Sequence, residues 1–226
     1  MGGSRTEEFK TLYLLHGLSD DHTIWERRTS IERYASRYGI AVVMPNAHRS
    51  WYCDMAHGGN YYTYIAKEVP ALCRSFFRGM SDKKEMNYIA GLSMGGYGAL
   101  KIALRNPGAF AGVASFSGAL DPADSDHIYI DASYWADVFG PFEKIRGSEN
   151  DVYALAKTAI REGTLPEKIY LSCGTEDPLL PCTRKMESLL AEAAVPHRYR
   201  EAPGIHSWEF WDDEIERTLD YFFGEA

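Results

Sequence analysis

The chain has 226 residues, 45% of them hydrophobic and 25% charged, with a formal net charge of -8 at pH 7. That length suits a single domain, 1–226, built round one sizeable core. The acidic balance, with no basic run, argues against a nucleic-acid partner. No window approaches the ~18 consecutive apolar residues of a membrane span, so no membrane partner is expected.

The opening "MGGSRTEEFK" carries no apolar h-region, which leads to the expectation of a cytoplasmic protein. The run "TLYLLHG" (11–17) reads as the first buried strand, and "IAVVMPN" (40–46) as the second. "YTYIAKEVPALCRSFFR" (62–78) has helical character, with Pro70 expected to kink it or mark its true start. "MNYIAG" (86–91) is the third strand, followed directly by the helix "MGGYGALKIALRNPG" (94–108). "GVASFSG" (112–118) is the fourth.

A long mixed segment, 119–150, then interrupts the alternation. Its Tyr129, Tyr134, Trp135, Phe139 and Phe142 predict a packed cap, placed near 121–150, rather than a loose loop. The helix "DVYALAKTAIREG" (151–163), the strand "KIYLSCG" (168–174) and the helix "LPCTRKMESLLAEAA" (180–194) follow. A more polar strand lies within 196–204, and the last helix is "SWEFWDDEIERTLDYFF" (207–223). Such alternation predicts an α/β fold: a mostly parallel central sheet with helices on both faces.

Four cysteines, Cys53, Cys73, Cys173 and Cys182, form no C-x-x-C pair and are expected to be free thiols. No His/Cys/Asp spacing suggests a metal site, and no cofactor is expected.

Gly91-Leu92-Ser93-Met94-Gly95 is the one G-x-S-x-G in the chain, and it falls between a buried strand and a helix. That is the setting of a nucleophile elbow, where a Cβ at either glycine would collide with a neighbouring strand or helix. A serine N-cap on a glycine-rich turn would read the same locally. A nucleophilic serine needs a base and an orienting acid, in this fold later in the chain and acid first. His206, in "PGIHSWEFW", has the order and the loop placement. His127 falls in the cap and His197 opens the polar strand. Asp177 and Glu176 both follow the fifth strand; Asp177 is preferred and Glu176 is the alternative. The oxyanion donors are expected to be the backbone N–H groups of Met94, after the serine, and Leu18, after the first strand. His16 is then support for the site rather than a second base.

With these residues in place, the chain resembles the esterase D-like branch of the α/β-hydrolases, most closely small bacterial tributyrin esterases and acetylesterases. The resemblance rests on "LYLLHGLSDDHTIW", "VVMPNAHRSWYCD", "YYTYIAKEVPALCRSFF", "IAGLSMGGYGALKIAL", "ASFSGAL", "CGTEDPLL" and "GIHSWEFW", in the family's order over nearly the whole chain. It implies Ser93 as nucleophile, His206 as base and Asp177 as acid, with the Leu18 and Met94 amides at the oxyanion. It also implies a small acyl ester substrate, acetyl to butyryl, and a homo-oligomer, dimer or tetramer. The cap and "HRSWYCD" (48–54) are expected to set acyl length, so Trp51, Tyr52 and Trp135 are candidate substrate contacts, with Trp208 of the last helix. S-formylglutathione hydrolases and feruloyl or acetylxylan esterases share the scaffold. The glutathione-thioester enzymes carry a cysteine in a "GLTC"-like segment, where this chain reads "GLSD" with Asp20. A non-catalytic binding protein on the same scaffold is the remote alternative.

Overall fold

The computed structural model describes residues 8–124 and 131–224. The start of the chain, 1–7, and the cap positions His127 and Tyr129 lie outside the described residues.

Six strands form one sheet: β1 (Thr11–Leu15), β2 (Ala41–Val43), β3 (Asn87–Leu92), β4 (Gly112–Phe116), β5 (Lys168–Gly174) and β6 (Arg198–Ala202). Their order is β2-β1-β3-β4-β5-β6, and every pairing is parallel. The expected strands are all present. β1, β3 and β4 are buried along their whole length, as continuous apolar runs require when both faces are covered.

Nine helices surround the sheet among the described residues. They are α1 (Ile24–Arg28), α2 (Ile31–Tyr38), α3 (Tyr61–Thr63), α4 (Val69–Phe76), α5 (Met94–Arg105), α6 (Ala132–Phe139), α7 (Val152–Glu162), α8 (Leu180–Glu192) and α9 (Trp208–Phe223). One apolar layer lies between the sheet and α4–α8, and the other between the sheet and α1, α2 and α9. The stretch read as one helix over 62–78 is broken. α3 runs into a π-turn, Tyr64–Glu68, and α4 starts beyond it with Pro70 in its first turn. Proline has no N–H to return to the preceding turn, so the ladder widens there. α1 and α2 were not expected. Ile31, Tyr34, Ala35 and Tyr38 nevertheless stand at the 3–4 spacing of an inward helical face, and Gly39 closes α2 in the left-handed conformation.

The cap is ordered where described. Trp135, Val138 and Phe139 of α6 are buried, while Phe142 is exposed. The amides of Ala56 and His57 bond the carbonyls of Val138 and Asp137 at 3.2 and 2.8 Å, joining α6 to the loop after β2. α5 is the central helix. It packs on β1, β3, β4 and α7, and it is buried from Met94 to Leu104, Lys101 included. All four cysteines are free thiols, and no helix among the described residues is long and apolar enough to cross a membrane.

Candidate active site

The strand order reverses beside β1, whose neighbours are β2 and β3. In an open parallel sheet the crevice beyond the carboxyl ends at such a point collects ligands. The loops after β1, β3, β5 and β6 converge there.

Ser93 follows β3 with φ 53 and ψ -120, a conformation that disfavours side chains and is worth roughly 1–3 kcal/mol of local strain. Three backbone bonds hold it: Ser93 N–H to the Phe116 carbonyl at 2.9 Å, and the Tyr97 and Ala119 amides to the Ser93 carbonyl, each at 3.1 Å. The turn tolerates only glycine beside it. A Cβ on Gly91 would strike the Gly95 carbonyl, and one on Gly95 would stand 2.5 Å from the Leu15 carbonyl oxygen. The bend leaves the Ser93 hydroxyl half-buried at the head of α5, where amides lack a carbonyl one turn back and the helix dipole is positive.

His206 and Asp177 complete a line of hydrogen bonds. Ser93 Oγ lies 3.0 Å from His206 Nε2, and His206 Nδ1 lies 2.8 Å from Asp177 Oδ2. The Asp177 carboxylate is fully shielded from solvent. Burial by itself would raise its pKa. The hydrogen bond and charge of His206, the Leu179 amide and the Ser117 hydroxyl outweigh burial and hold Asp177 below the usual carboxylate value. The chain turns after β5 so that Glu176 points elsewhere: it is exposed and accepts the Gly204 N–H at 2.7 Å. Of the two acids, the preferred Asp177 reaches the imidazole and the alternative Glu176 does not. Trp211 packs edge-on to the His206 ring, 4.8 Å between centroids, and its indole N–H reaches Ser117 Oγ at 3.2 Å.

His16 is buried and takes no part in that line. Its Nδ1–H donates to the Gly17 carbonyl at 2.7 Å, and its Nε2 accepts the Ala47 N–H at 2.9 Å. Burial lowers its pKa, and the two hydrogen bonds let the ring staple the β1 loop to the β2 loop.

Two cavities meet at Ser93. The first, about 160 Å³, is walled by Leu18, Trp51, Met94, Pro122, Trp135 and Leu179, with Asp121 among the lining groups. The second, about 530 Å³, is polar. Leu18 and Ser93 lie on its border with His206, and Asp20, Arg28, Trp208 and Glu209 line its sides. Leu18 and Met94 thus both adjoin the serine. Trp51 and Trp135 line the smaller cavity and Trp208 the larger. Tyr52 lines neither: it is fully buried, its hydroxyl bonds the His16 carbonyl at 2.9 Å, and its ring fills the space beside Gly98. It braces the β1 loop instead.

Sequence reasoning missed Asp121. It is a buried carboxylate held by Arg146 at 2.6 Å and Lys185 at 2.7 Å. Its partners lie 25 and 64 residues away along the chain, so no local pattern marks it.

Comparison with known proteins places the chain in a family. Residues 3–222 match the model of the Esterase family, described as "Putative esterase". The chain is 33% identical over 225 residues to an acetyl esterase of Caldicellulosiruptor saccharolyticus, covering 96% of this chain and 84% of that one. The solved structure of FphF, a fluorophosphonate-binding serine hydrolase of Staphylococcus aureus with substrate bound, superposes with a TM-score of 0.91 at 35% identity, over 98% of this chain and 86% of that one. The S-formylglutathione hydrolase FrmB of S. aureus superposes with a TM-score of 0.88, also at 35% identity, over 97% and 86%. The chain belongs to the Esterase family of carboxylic ester hydrolases, with the α/β-hydrolase fold.

Proposed function

We propose that this esterase hydrolyses short-chain acyl esters, acetyl to butyryl, through an acyl-enzyme on Ser93. The observation that carries the reading is the unbroken line Asp177–His206–Ser93 on a strained turn. Ser93 Oγ attacks the ester carbonyl while His206 Nε2 takes its proton. Asp177 accepts the Nδ1–H, which fixes the tautomer and stabilises the imidazolium. The Leu18 and Met94 amides receive the oxyanion, each such donor contributing about 3–4 kcal/mol. His206 then protonates the leaving group and activates the water that frees the acid.

The two cavities divide the substrate. His206 lines the larger cleft and not the smaller, so the departing oxygen it protonates lies on that side. The acyl group then enters the 160 Å³ cavity. A cavity of ~150 Å³ holds a benzene ring, so the acyl group is limited to about six heavy atoms, which butyryl nearly fills.

A thioesterase acting on S-formylglutathione is the second reading, favoured by the FrmB likeness. Among the described residues that line the leaving-group cleft, the carboxylates of Asp20 and Glu209 outnumber the Arg28 guanidinium, which makes it a poor host for a thiol that carries carboxylates of its own. A p-nitrophenyl ester series on wild type and Ser93→Ala tests the main reading. Activity peaks at butyryl or shorter and is lost in the variant; activity that survives Ser93→Ala refutes it. Comparing kcat/KM on S-formylglutathione, acetylated xylo-oligosaccharide and a simple acetate ester ranks the leaving groups.

A further inference from the structure

α5 carries a lysine that the chemistry at Ser93 does not use. Lys101 is completely buried. Its Nζ lies 2.9 Å from Cys53 Sγ, 3.2 Å from the Trp51 carbonyl oxygen and 3.2 Å from Asn150 Oδ1. The Tyr97 ring is 4.9 Å away. Cys53 is itself 1% exposed, and the Trp51 carbonyl and Asn150 Oδ1 lie at 3.3 and 3.4 Å from its sulfur. Among the described residues no carboxylate reaches ion-pair distance of Lys101.

A buried ammonium held only by neutral dipoles is unfavourable. Burial pushes the Lys101 pKa down and the Cys53 pKa up. Both shifts favour the uncharged forms, an amine with a free lone pair facing a thiol. Dioxygen reaches a buried pair without an open channel, and a small dithiol reaches it during local opening. The gap is short enough for one atom to span it without moving the backbone.

We propose that Cys53 and Lys101 form a reversible oxidative cross-link, an S–O–N bridge made with dioxygen. The S–H bond and one N–H bond break, and S–O and O–N bonds form. One oxygen atom enters the bridge, and the other leaves as water with the two displaced hydrogens. Sulfur and nitrogen each lose two electrons, and dioxygen accepts all four. Two equivalents of a dithiol reductant reverse the step, each becoming a disulfide, so that four electrons and four protons return and the bridging oxygen leaves as water.

The bridge joins α5 to the loop that carries Trp51, a wall of the smaller cavity. In that loop His48, Trp51 and Tyr52 all have positive φ, at 47, 53 and 51. A covalent tie between residues this far apart in sequence restricts the unfolded chain as a disulfide does, so the oxidised form melts about 5–10 °C higher.

Intact-mass and peptide mass spectrometry test this on protein held in air and on protein kept anaerobic. Aerobic wild type gains one oxygen and loses two hydrogens, yields a linked peptide pair containing Cys53 and Lys101, and takes up label from ¹⁸O-dioxygen. Dithiothreitol removes the link and lowers Tm to the anaerobic value. Cys53→Ser and Lys101→Met show neither the link nor a Tm that responds to air, although Cys73, Cys173 and Cys182 remain. Unlinked Cys53 and Lys101 peptides from folded aerobic wild type overturn the proposal. So does oxygen added to Cys53 alone, or a direct S–N bond without oxygen.

Discussion

Trp135→Ala tests the division of the substrate most directly. The indole is 4% exposed, stacks edge-on to Trp51 at 4.9 Å, touches Phe139 at 4.8 Å, and donates its N–H to the Pro122 carbonyl at 3.1 Å. Truncation extends the 160 Å³ cavity into the space the ring held. Each acyl methylene that gains an apolar seat contributes about 0.8 kcal/mol. That is about fourfold in kcat/KM, or about 15-fold for two methylenes. The wild type stops gaining once butyryl fills the space. The variant continues, so its optimum moves to hexanoyl or longer, and its octanoate-to-butyrate ratio rises by at least about 10-fold. The substitution costs about 3–5 kcal/mol of stability. Kinetics are therefore measured well below the variant's Tm, with Trp135→Phe as an intermediate. A folded Trp135→Ala with the wild-type chain-length profile refutes the assignment of the small cavity to the acyl group.

Three further outcomes are expected. Asp177→Asn lowers kcat by about 10⁴-fold with little change in KM, because the imidazole loses its tautomer partner; steady-state kinetics on an acetate ester checks it. Gly95→Ala destabilises the protein by about 1–3 kcal/mol in urea unfolding and lowers activity, since its Cβ meets the Leu15 and His16 carbonyls at 2.5 and 2.6 Å and pushes on the loop carrying Leu18. Burial raises the pKa of Glu214 from its ordinary 4.5, against the Tyr170 and Ser172 hydrogen bonds and Arg200. The folded state therefore holds this proton more tightly than the unfolded state does. The resulting stabilisation is full below pH 4.5 and is lost as pH rises through the folded pKa. Glu214→Gln removes that slope, so the stability difference, wild type minus variant, falls between pH 4.5 and 7 in urea titrations. A difference that rises over that range contradicts the assignment.

Much of this arrangement is legible in the sequence. Five of the six strands announce themselves as apolar runs, most of them ended by glycine or Pro-Asn, whereas β6, at the sheet edge, is polar. The order Ser93, Asp177, His206 follows from which loops leave the carboxyl ends of successive strands. Other features depend on direction rather than order. Trp51 and Tyr52 are adjacent in one aromatic loop, yet one walls a cavity and the other is buried against Gly98. Asp177 and Glu176 differ only in how the chain rotates after β5. Asp121 and the Cys53–Lys101 pair arise from partners remote in sequence, which no local spacing can reveal.

The meeting of a small cavity and a wide cleft at one serine has a kinetic consequence. On the proposed mechanism, while the acyl group sits on Ser93 the alcohol has left by the cleft, and that cleft is open to whatever nucleophile arrives next. Esters of one acid with different alcohols therefore pass through one common intermediate. Where its breakdown is slowest, they share one kcat, in a ping-pong pattern. An added alcohol that fits between Trp208 and Arg28 competes with water for the acyl group, so the cleft sets how much substrate is transesterified rather than hydrolysed.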